Sequence, residues 1–190
     1  MTANLCACAA VTAAAVLLGA CGDERRDADA PEGTYSVAVV RSTFAAQQHL
    51  GAKTALTLTV RNTGDEAIPD LAVTVRGFTD RSGGPRDADL GRDVWIVDEG
   101  PGAAATASQD TWSAGRLAPG RSTTLRWRVT PVVAGSHTVR YEIAPSLTGR
   151  ARAQLAQGGR AASGALRARV TNTPAQASVD PRTGQVRRNE

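Results

Sequence analysis

Cys21 is the residue of this chain for which the surrounding sequence indicates a chemical role most clearly. It follows two small residues, Gly19 and Ala20, at the end of an apolar stretch (residues 5–20) that contains no charged side chain. The thiolate of a cysteine is a nucleophile, and small neighbours leave it accessible to an enzyme. The stretch is too short and too rich in alanine for a membrane span, which needs about 20 strongly apolar residues. A short apolar core that ends in small residues is typical of a secretory signal.

The residues Leu18-Gly19-Ala20-Cys21 resemble the lipobox of bacterial lipoproteins. The resemblance implies that diacylglycerol is attached to the Cys21 sulfur and that residues 1–20 are a signal peptide cut off before it. The mature protein would then be extracytoplasmic and anchored to the cell membrane by lipid. No Lys or Arg precedes the apolar stretch, which departs from the basic start of an export signal. A buried N-terminal helix with an incidental cysteine is the alternative interpretation.

The other two cysteines, Cys6 and Cys8, would leave with this leader. No thiol would remain for a disulfide, so an exported domain would depend on its core alone. Aromatic residues make up 4% of the chain. The core is therefore expected to consist mainly of Val, Leu, Ile and Ala.

Charge is distributed unevenly. Residues 116–171 contain ten arginines and a single acid, Glu142, which leaves nine net positive charges; residues 79–99 carry three net negative charges. Five arginines alternate with apolar residues on predicted neighbouring strands and are expected to form one outward face: Arg140, Arg150, Arg152, Arg167 and Arg169. Like charges across a strand pair are destabilising. The face therefore predicts an anionic partner, either an envelope polymer, anionic lipid or another surface protein, or else the acidic segment itself. A solvated face enriched in arginine by codon bias is the alternative.

Two tryptophans, Trp95 and Trp112, lie in the long segment 79–115. Exposed indole rings form platforms on which sugars stack, so the pair is a candidate carbohydrate site. The alternative, that both rings fill a core short of aromatics, is the favoured interpretation. Residues 94–97 are apolar at every position, which predicts an extra strand, and Trp127 is expected in the core.

Catalytic and metal-binding patterns are weak in this sequence. Residues 87–93 place aspartates at alternate positions, as a calcium loop does, but without the distal glutamate of such a loop; a solvated acidic loop is the favoured interpretation. There is no Gly-x-Ser-x-Gly elbow, His-Glu-x-x-His motif or phosphate loop. Asp98 and Glu99 are adjacent, which predicts that they point to opposite faces of a strand. We expect no enzyme activity, no cofactor, no metal site and no nucleic-acid partner.

Short segments of alternating apolar and polar residues predict a β protein. Residues 22–34 are charged and contain almost nothing apolar, which indicates a flexible tether after Cys21. From residue 35 the alternation recurs in successive segments, with Leu56, Leu58 and Val60 as an example. Gly158 and Gly159 mark a turn before a last long strand. Seven or more such strands predict an antiparallel two-sheet sandwich over residues 35–171, with a long inserted loop at 79–115. A tail follows (residues 172–190), in which residues 179–186 could close a small hairpin.

Two motifs carry a family resemblance. Asn-Thr-Gly (62–64) follows one predicted strand, and Leu-Ala-Pro-Gly (117–120) precedes another. The sequence around them is similar to the immunoglobulin-like modules of bacterial surface proteins, of the CARDB and DUF11 type, and to actinobacterial lipoproteins that contain such modules. The resemblance implies a non-catalytic, lipid-anchored cell-surface module for adhesion, envelope interaction or spacing. It identifies no site residues.

Overall fold

The structure is a computed structural model. It describes residues 32–80, 92–102, 105–108, 110–147, 150–173, 177–179 and 181–188. Cys21, the predicted signal peptide and most of the predicted tether lie outside the described residues. In the ranges that are described, no helix has the length and apolar character needed to cross a membrane.

Alternating side chains form a first sheet of five strands, in the order β12-β1-β3-β10-β7. The strands are β1 (Thr34–Thr43), β3 (Thr54–Asn62), β7 (Trp95–Glu99), β10 (Ser122–Pro131) and β12 (Arg152–Leu155). Neighbouring strands are antiparallel except β1 and β12, which are parallel.

A second sheet of six strands has the order β2-β13-β11-β4-β9-β8. Its strands are β2 (Gln47–His49), β4 (Ala72–Arg76), β8 (Ala105–Ser108), β9 (Thr111–Ser113), β11 (Gly135–Ala144) and β13 (Ser163–Thr171). Only β2 and β13 are parallel. The predicted all-β sandwich is confirmed, but both sheets are mixed rather than purely antiparallel, because β2 and β12 join as short parallel edge strands.

Two hairpins complete the described chain. β5 (Thr79–Asp80) pairs with β6 (Arg92–Asp93), and β14 (Ala177–Val179) pairs with β15 (Val186–Arg188). The second hairpin is the one predicted in the C-terminal tail, with Val179 opposite Val186.

The core lies between the two sheets, where the alternation predicted it. Leu56, Leu58 and Val60 of β3 are at most 1% exposed, and they lie beside Leu125 and Trp127 of β10, which are equally buried. The second sheet contributes residues of β4 and β11 in the same way, among them Val73, Val75, Val139 and Ile143. Burial of the inward-facing apolar side chains of each strand is the main source of stability of a β-sandwich.

The segment predicted as a long inserted loop is instead partly built of strands. β7 extends the first sheet at its edge beside β10, and β8 and β9 extend the second sheet beside β4. β7 begins where the backbone amides of Val94 and Trp95 both donate to the carbonyl of Phe78, at 2.8 and 3.0 Å. The extra strand expected at residues 94–97 is therefore confirmed.

Asn62 ends β3 with a side chain that is completely buried. Its Nδ2 donates to the carbonyl of Glu66 at 2.7 Å and to the carbonyl of Leu117 at 3.0 Å. Its Oδ1 accepts a hydrogen bond from the amide of Gly64 at 3.0 Å. One amide thus satisfies three backbone groups of two separate turns, as a buried polar group must.

The backbone of Asn62 continues this connection. Its amide donates to the carbonyl of Arg121 at 2.9 Å, and its carbonyl accepts from the amide of Gly120 at 2.9 Å. Leu117 pairs in turn with Ile68, which leads into β4 of the second sheet. The Asn-Thr-Gly and Leu-Ala-Pro-Gly motifs are therefore two halves of one clasp, which joins the sheets at this end of the sandwich.

We predict that Asn62→Ala lowers the free energy of unfolding by about 2–4 kcal/mol, because three backbone groups, of which that of Leu117 is buried, lose their hydrogen bonds to this side chain. Urea unfolding followed by circular dichroism measures the change. The matched control is Asn172→Ala, at an exposed position, which should change the value by less than about 0.5 kcal/mol. Equal effects of the two substitutions would contradict a structural role for the clasp.

Candidate functional site

The five arginines predicted to share a face are all exposed, but they lie on two different surfaces. Arg140 on β11 and Arg167 and Arg169 on β13 point outward from the second sheet. Arg152 begins β12, which belongs to the first sheet, and Arg150 lies in the segment before it. The expectation of one continuous face is therefore wrong for Arg150 and Arg152.

The reason is the turn at Gly158 and Gly159, which have φ angles of 85° and 58°. The amide of Leu155 donates to the carbonyl of Arg160 across it at 2.8 Å, so a short hairpin forms as predicted. The chain then crosses between the sheets: β12 pairs with β1, and β13 pairs with β11. Strands that follow each other in sequence are here not neighbours in one sheet.

The structure adds Arg76, the last residue of β4, to the outward face of the second sheet. Arg76 lies directly opposite Arg140 in the antiparallel pair of β4 and β11. Arg76 follows Val73 and Val75 in an alternating segment, which indicates an outward position but gives no signal for its cross-strand partner. Strand pairing, which alternation does not determine, brings the two cations together.

Four arginines thus form a continuous series across three strands, which we call the arginine strip: Arg76, Arg140, Arg167 and Arg169. Arg167 is opposite Thr138 and Arg169 is opposite Ser136 on β11. Arg140 and Arg167 are therefore diagonal neighbours, at a separation that long side chains can reach across.

None of the four guanidinium groups has a hydrogen bond or an ion pair within the part of the chain that the structure describes. The first sheet differs. There, Arg128 forms an ion pair with Glu99, with an Nη1–Oε2 distance of 2.6 Å, and Arg61 Nε donates to the carbonyl of Gly120 at 3.2 Å. The arginine strip is consequently the less compensated of the two positive surfaces.

A shallow groove of about 550 Å³, open to solvent, lies beside the opposed pair Arg76 and Arg140. Its lining includes Thr74, Glu142, Ser163 and Ala165. The space exists because β13 carries small residues here. On the inner side of β13, an added Cβ at Gly164 would collide with the ring and hydroxyl of Tyr141, which packs over this position.

The two tryptophans proposed as a sugar platform are buried. Trp95 is 1% exposed; its Nε1 donates to Oε1 of Gln48 at 2.7 Å, and its ring centroid lies 5.3 Å from that of Phe44. Trp112 is 7% exposed and packs edge-on against Trp127, with the ring centroids 5.3 Å apart. The core interpretation is confirmed, and the carbohydrate platform at Trp95 and Trp112 is contradicted, because neither ring offers a free face.

The adjacent carboxylates do not behave as predicted. Asp98 Oδ2 accepts a hydrogen bond from Thr130 Oγ1 at 2.7 Å, and Glu99 Oε2 accepts one from Arg128 Nη1 at 2.6 Å. Both therefore point to the outer face of the first sheet, because the pairing of β7 with β10 shifts register between Arg128 and Val129. Each is an exposed side chain bonded to a neighbour on an open sheet, rather than one of a pair in a cleft.

The candidate calcium segment lies outside the described residues except for its end. Asp93 there accepts a hydrogen bond from the hydroxyl of Thr79 at 2.8 Å. Among the described residues, no group of three or more His, Cys, Asp and Glu side chains is arranged to hold a metal ion.

No family model matches this sequence, and no curated protein matches it. Several solved structures are similar in fold. The CARDB domain of the PF1109 protein from Pyrococcus furiosus, solved in complex with di-metal ions, is 12% identical; the match covers 73% of this chain and 86% of that chain, with a TM-score of 0.43. A native alpha-2-macroglobulin from Escherichia coli, spanning domain MG7 to the C-terminus, is 17% identical over 81% of this chain and 21% of that chain, with a TM-score of 0.46.

A third similar structure is the alkylpurine DNA glycosylase AlkC from Pseudomonas fluorescens, bound to DNA containing an abasic site analog. It is 13% identical over 70% of this chain and 30% of that chain, with a TM-score of 0.39. The first of the three structures is a CARDB domain, the type of module that the two sequence motifs predict. At these identities and TM-scores, none of the three bears on what this chain does.

We predict that Arg76→Thr raises the free energy of unfolding by about 0.5 kcal/mol at low salt, because it removes a like charge directly opposite Arg140 and places a good strand former there. The gain should shrink as added salt screens the repulsion. The matched control is Arg41→Thr, since Arg41 is exposed on the first sheet opposite Thr59 rather than a cation. A loss of stability specific to Arg76→Thr would show that the pair is not repulsive.

Proposed function

We propose that this protein is a non-catalytic, lipid-anchored cell-surface module that binds an anionic component of the envelope through its arginine strip. The observation that carries the proposal is the opposed pair of Arg76 and Arg140, two exposed cations without a partner among the described residues. Cys21 would provide the lipid attachment, as the lipobox-like sequence implies.

The physical argument begins with the cost of the strip. Like charges directly opposite one another on a sheet are destabilising. An anion that bonds to both guanidinium groups would convert this repulsion into attraction. Guanidinium groups suit this role because their planar arrays of donors match the oxygen atoms of phosphate and carboxylate groups.

Anchoring to the membrane would allow weak contacts of the strip to be sufficient for binding to the envelope. Single exposed ion pairs contribute roughly 0–1 kcal/mol each, so the strip alone would bind a soluble anion weakly. A tether of the composition of residues 22–33 spans on the order of 20 Å. It would hold the module close to the envelope, where the high effective concentration lets several weak contacts act together.

We predict that Cys21→Ala moves the full chain from the membrane fraction to the soluble or secreted fraction when it is expressed in a bacterium with a lipoprotein pathway. The reason is that one thiol would carry the whole anchor, and stable anchoring needs more than one acyl chain. Fractionation and metabolic labelling with a fatty acid measure the change. Cys6→Ala is the control and should stay labelled. Labelling of the Cys21→Ala protein would contradict the anchor.

We predict that residues 22–190 co-sediment with purified cell envelopes at low salt and dissociate at high salt, as electrostatic binding requires. The triple variant Arg140→Glu, Arg167→Glu and Arg169→Glu should lose most of this binding. The triple variant Arg41→Glu, Arg121→Glu and Arg126→Glu is the matched control, since it makes the same change in net charge at exposed positions off the strip. It should retain most of the binding.

The comparison of the two triple variants tests location rather than charge. Equal losses in both variants would show that only net charge matters and would contradict a role for the strip. Absence of binding by the unaltered protein at either salt concentration would favour the spacer function over the binding function.

A further inference from the structure

The arginine strip runs from the middle of the second sheet, where Arg76 and Arg140 lie, to the end that is far from the predicted anchor, where Arg169 lies. β1 begins at Thr34, next to the Asn62 clasp. Asn62 pairs with Val37, only three residues after the start of β1, and the amide of Thr63 donates to the carbonyl of Ser36. We call this the clasp end. The N-terminal segment that leads back to Cys21 leaves the sandwich there.

The direction of the second sheet follows from the same contacts. β4 starts at the clasp end, because Ile68 just before it pairs with Leu117. It therefore ends away from the clasp, at Arg76. β13 runs in the same direction, because its last residue, Thr171, lies at the far end. The carbonyl of Thr171 accepts a hydrogen bond from the amide of Leu50, and the amide of the next residue, Gly51, donates to the carbonyl of Pro131 at the far end of β10.

The outward face of the second sheet is thus ordered in rows from the clasp end to the far end. The row nearer the clasp carries Thr111, Thr74, Glu142 and Ser163, which are cross-strand neighbours. The next row carries Arg76, Arg140 and Ala165. Arg167 and Arg169 follow. Arg169 lies six residues beyond Ser163, or about 20 Å at 3.3 Å per residue.

The distance of Arg169 from the predicted anchor discriminates between two possible partners, the anionic lipid surface and a polymer that extends outward from it. With the clasp end toward the membrane, a tether of roughly 20 Å and a further 20 Å along the sheet would place Arg169 several Debye lengths from the lipid surface that holds Cys21. In that orientation the headgroups of that surface would be strongly screened from the far end of the strip. The position favours a partner that extends outward from the membrane.

The charge in the groove limits the ligand further. Arg76 and Arg140 contribute two positive charges, and Glu142, two residues along β11 from Arg140, contributes one negative charge. The net charge of one suits a single monoanionic group. A polymer whose anionic groups are linked directly, with no uncharged unit between them, would bring its next anion against the Glu142 carboxylate.

The row beside the arginines is suited to hydroxyl groups. Glu142 can accept hydrogen bonds from hydroxyls, and Ser163 and Thr74 can donate or accept them. Thr74 and Thr111 already share a hydrogen bond, with 2.9 Å between their Oγ1 atoms. Rows two residues apart on a strand are separated by about 7 Å. The face therefore offers one anion site beside one row of hydroxyl sites.

Building on the proposed function, we infer that the strip and groove bind a phosphodiester-linked polyol polymer of the envelope. One phosphodiester lies between Arg76 and Arg140, and polyol hydroxyls of the next unit bond to Glu142 and Ser163. A tetrahedral phosphodiester can present one free oxygen to each of two opposed guanidinium groups, whereas the two coplanar oxygens of a carboxylate match best the fork of a single bidentate arginine. Arg167 and Arg169 hold the following phosphodiesters.

The test is a binding titration of residues 22–190, which contain every strand of both sheets that the structure describes. The probes are poly(glycerol phosphate), sodium polyphosphate, polygalacturonate, and vesicles made of equal parts phosphatidylcholine and phosphatidylglycerol. We expect the protein to bind poly(glycerol phosphate) more tightly than the other three at equal concentration of charge. Arg76→Gln with Arg140→Gln should lower that affinity at least about tenfold, as loss of charge-assisted hydrogen bonds implies.

Two controls separate the groove from general charge. Arg41→Gln with Arg126→Gln removes the same charge from the first sheet and should change the affinity less than about twofold. Glu142→Gln should raise the affinity for polyphosphate about fivefold, because it removes a repelling charge, and should not raise that for poly(glycerol phosphate). Unchanged thermal unfolding midpoints verify that each variant is folded.

Other results would overturn the inference in different ways. Equal or tighter binding of polyphosphate, polygalacturonate or vesicles would reject the phosphodiester polyol while leaving an anion-binding module. Binding that appears only after Asp87→Asn and Asp89→Asn would assign the strip to the acidic segment of the chain itself. Absence of binding to every anionic probe and to envelopes would reject both the inference and the proposed function.

Discussion

The buried amide of Asn62 is the contact on which the arrangement of the two sheets depends. It bonds the turn after β3 to the segment before β10, and through Leu117 and Ile68 it reaches the strand that opens the second sheet. A buried amide with all its bonds made specifies geometry, because any other arrangement leaves polar groups unsatisfied. The direction of β4, and so the position of Arg76, follows from this clasp.

The clasp and the aliphatic core leave the outer faces free to vary. Both faces carry arginines, yet their surroundings differ. On the first sheet Arg128 bonds to Glu99, and Thr59 bonds to Thr124 at 2.9 Å, so cross-strand pairs there satisfy one another. On the second sheet Arg76 opposes Arg140 instead. Surface positions are where a protein can keep an unfavourable pair at small cost, since their substitution usually changes stability little.

Local patterns in the sequence predicted the strands well and their partners poorly. Alternation placed Leu56, Leu58 and Val60 inside because a strand reverses its side chains at every residue. It could not show that β12 leaves its neighbour β13 to pair with β1, which moved Arg152 to the other sheet. The turn glycines were visible, but the crossing between sheets depends on long-range packing.

The same limit explains the errors at the candidate site. Asp98 and Glu99 were expected on opposite faces, and a register shift of one residue put both on one face. Burial of Trp95 depends on Phe44 and Gln48, about fifty residues earlier in the chain. Arg76 and Arg140 are separated still further in sequence, so only the fold could bring them together.

The shape of the face also bears on how such a module would act. A flat sheet gives no enclosed pocket, so it cannot surround a small ligand and exclude water as catalytic clefts do. It can present a regular series of charges to a long partner. The affinity for a long partner increases with each added contact, and no part of the site has to close around it. The far-end position of the strip would suit this mode of binding, since a polymer running outward from the membrane would meet the strip along the strands. An open sheet face whose arginines have no partner among the described residues is in this sense better suited to holding a chain than to recognising a single molecule.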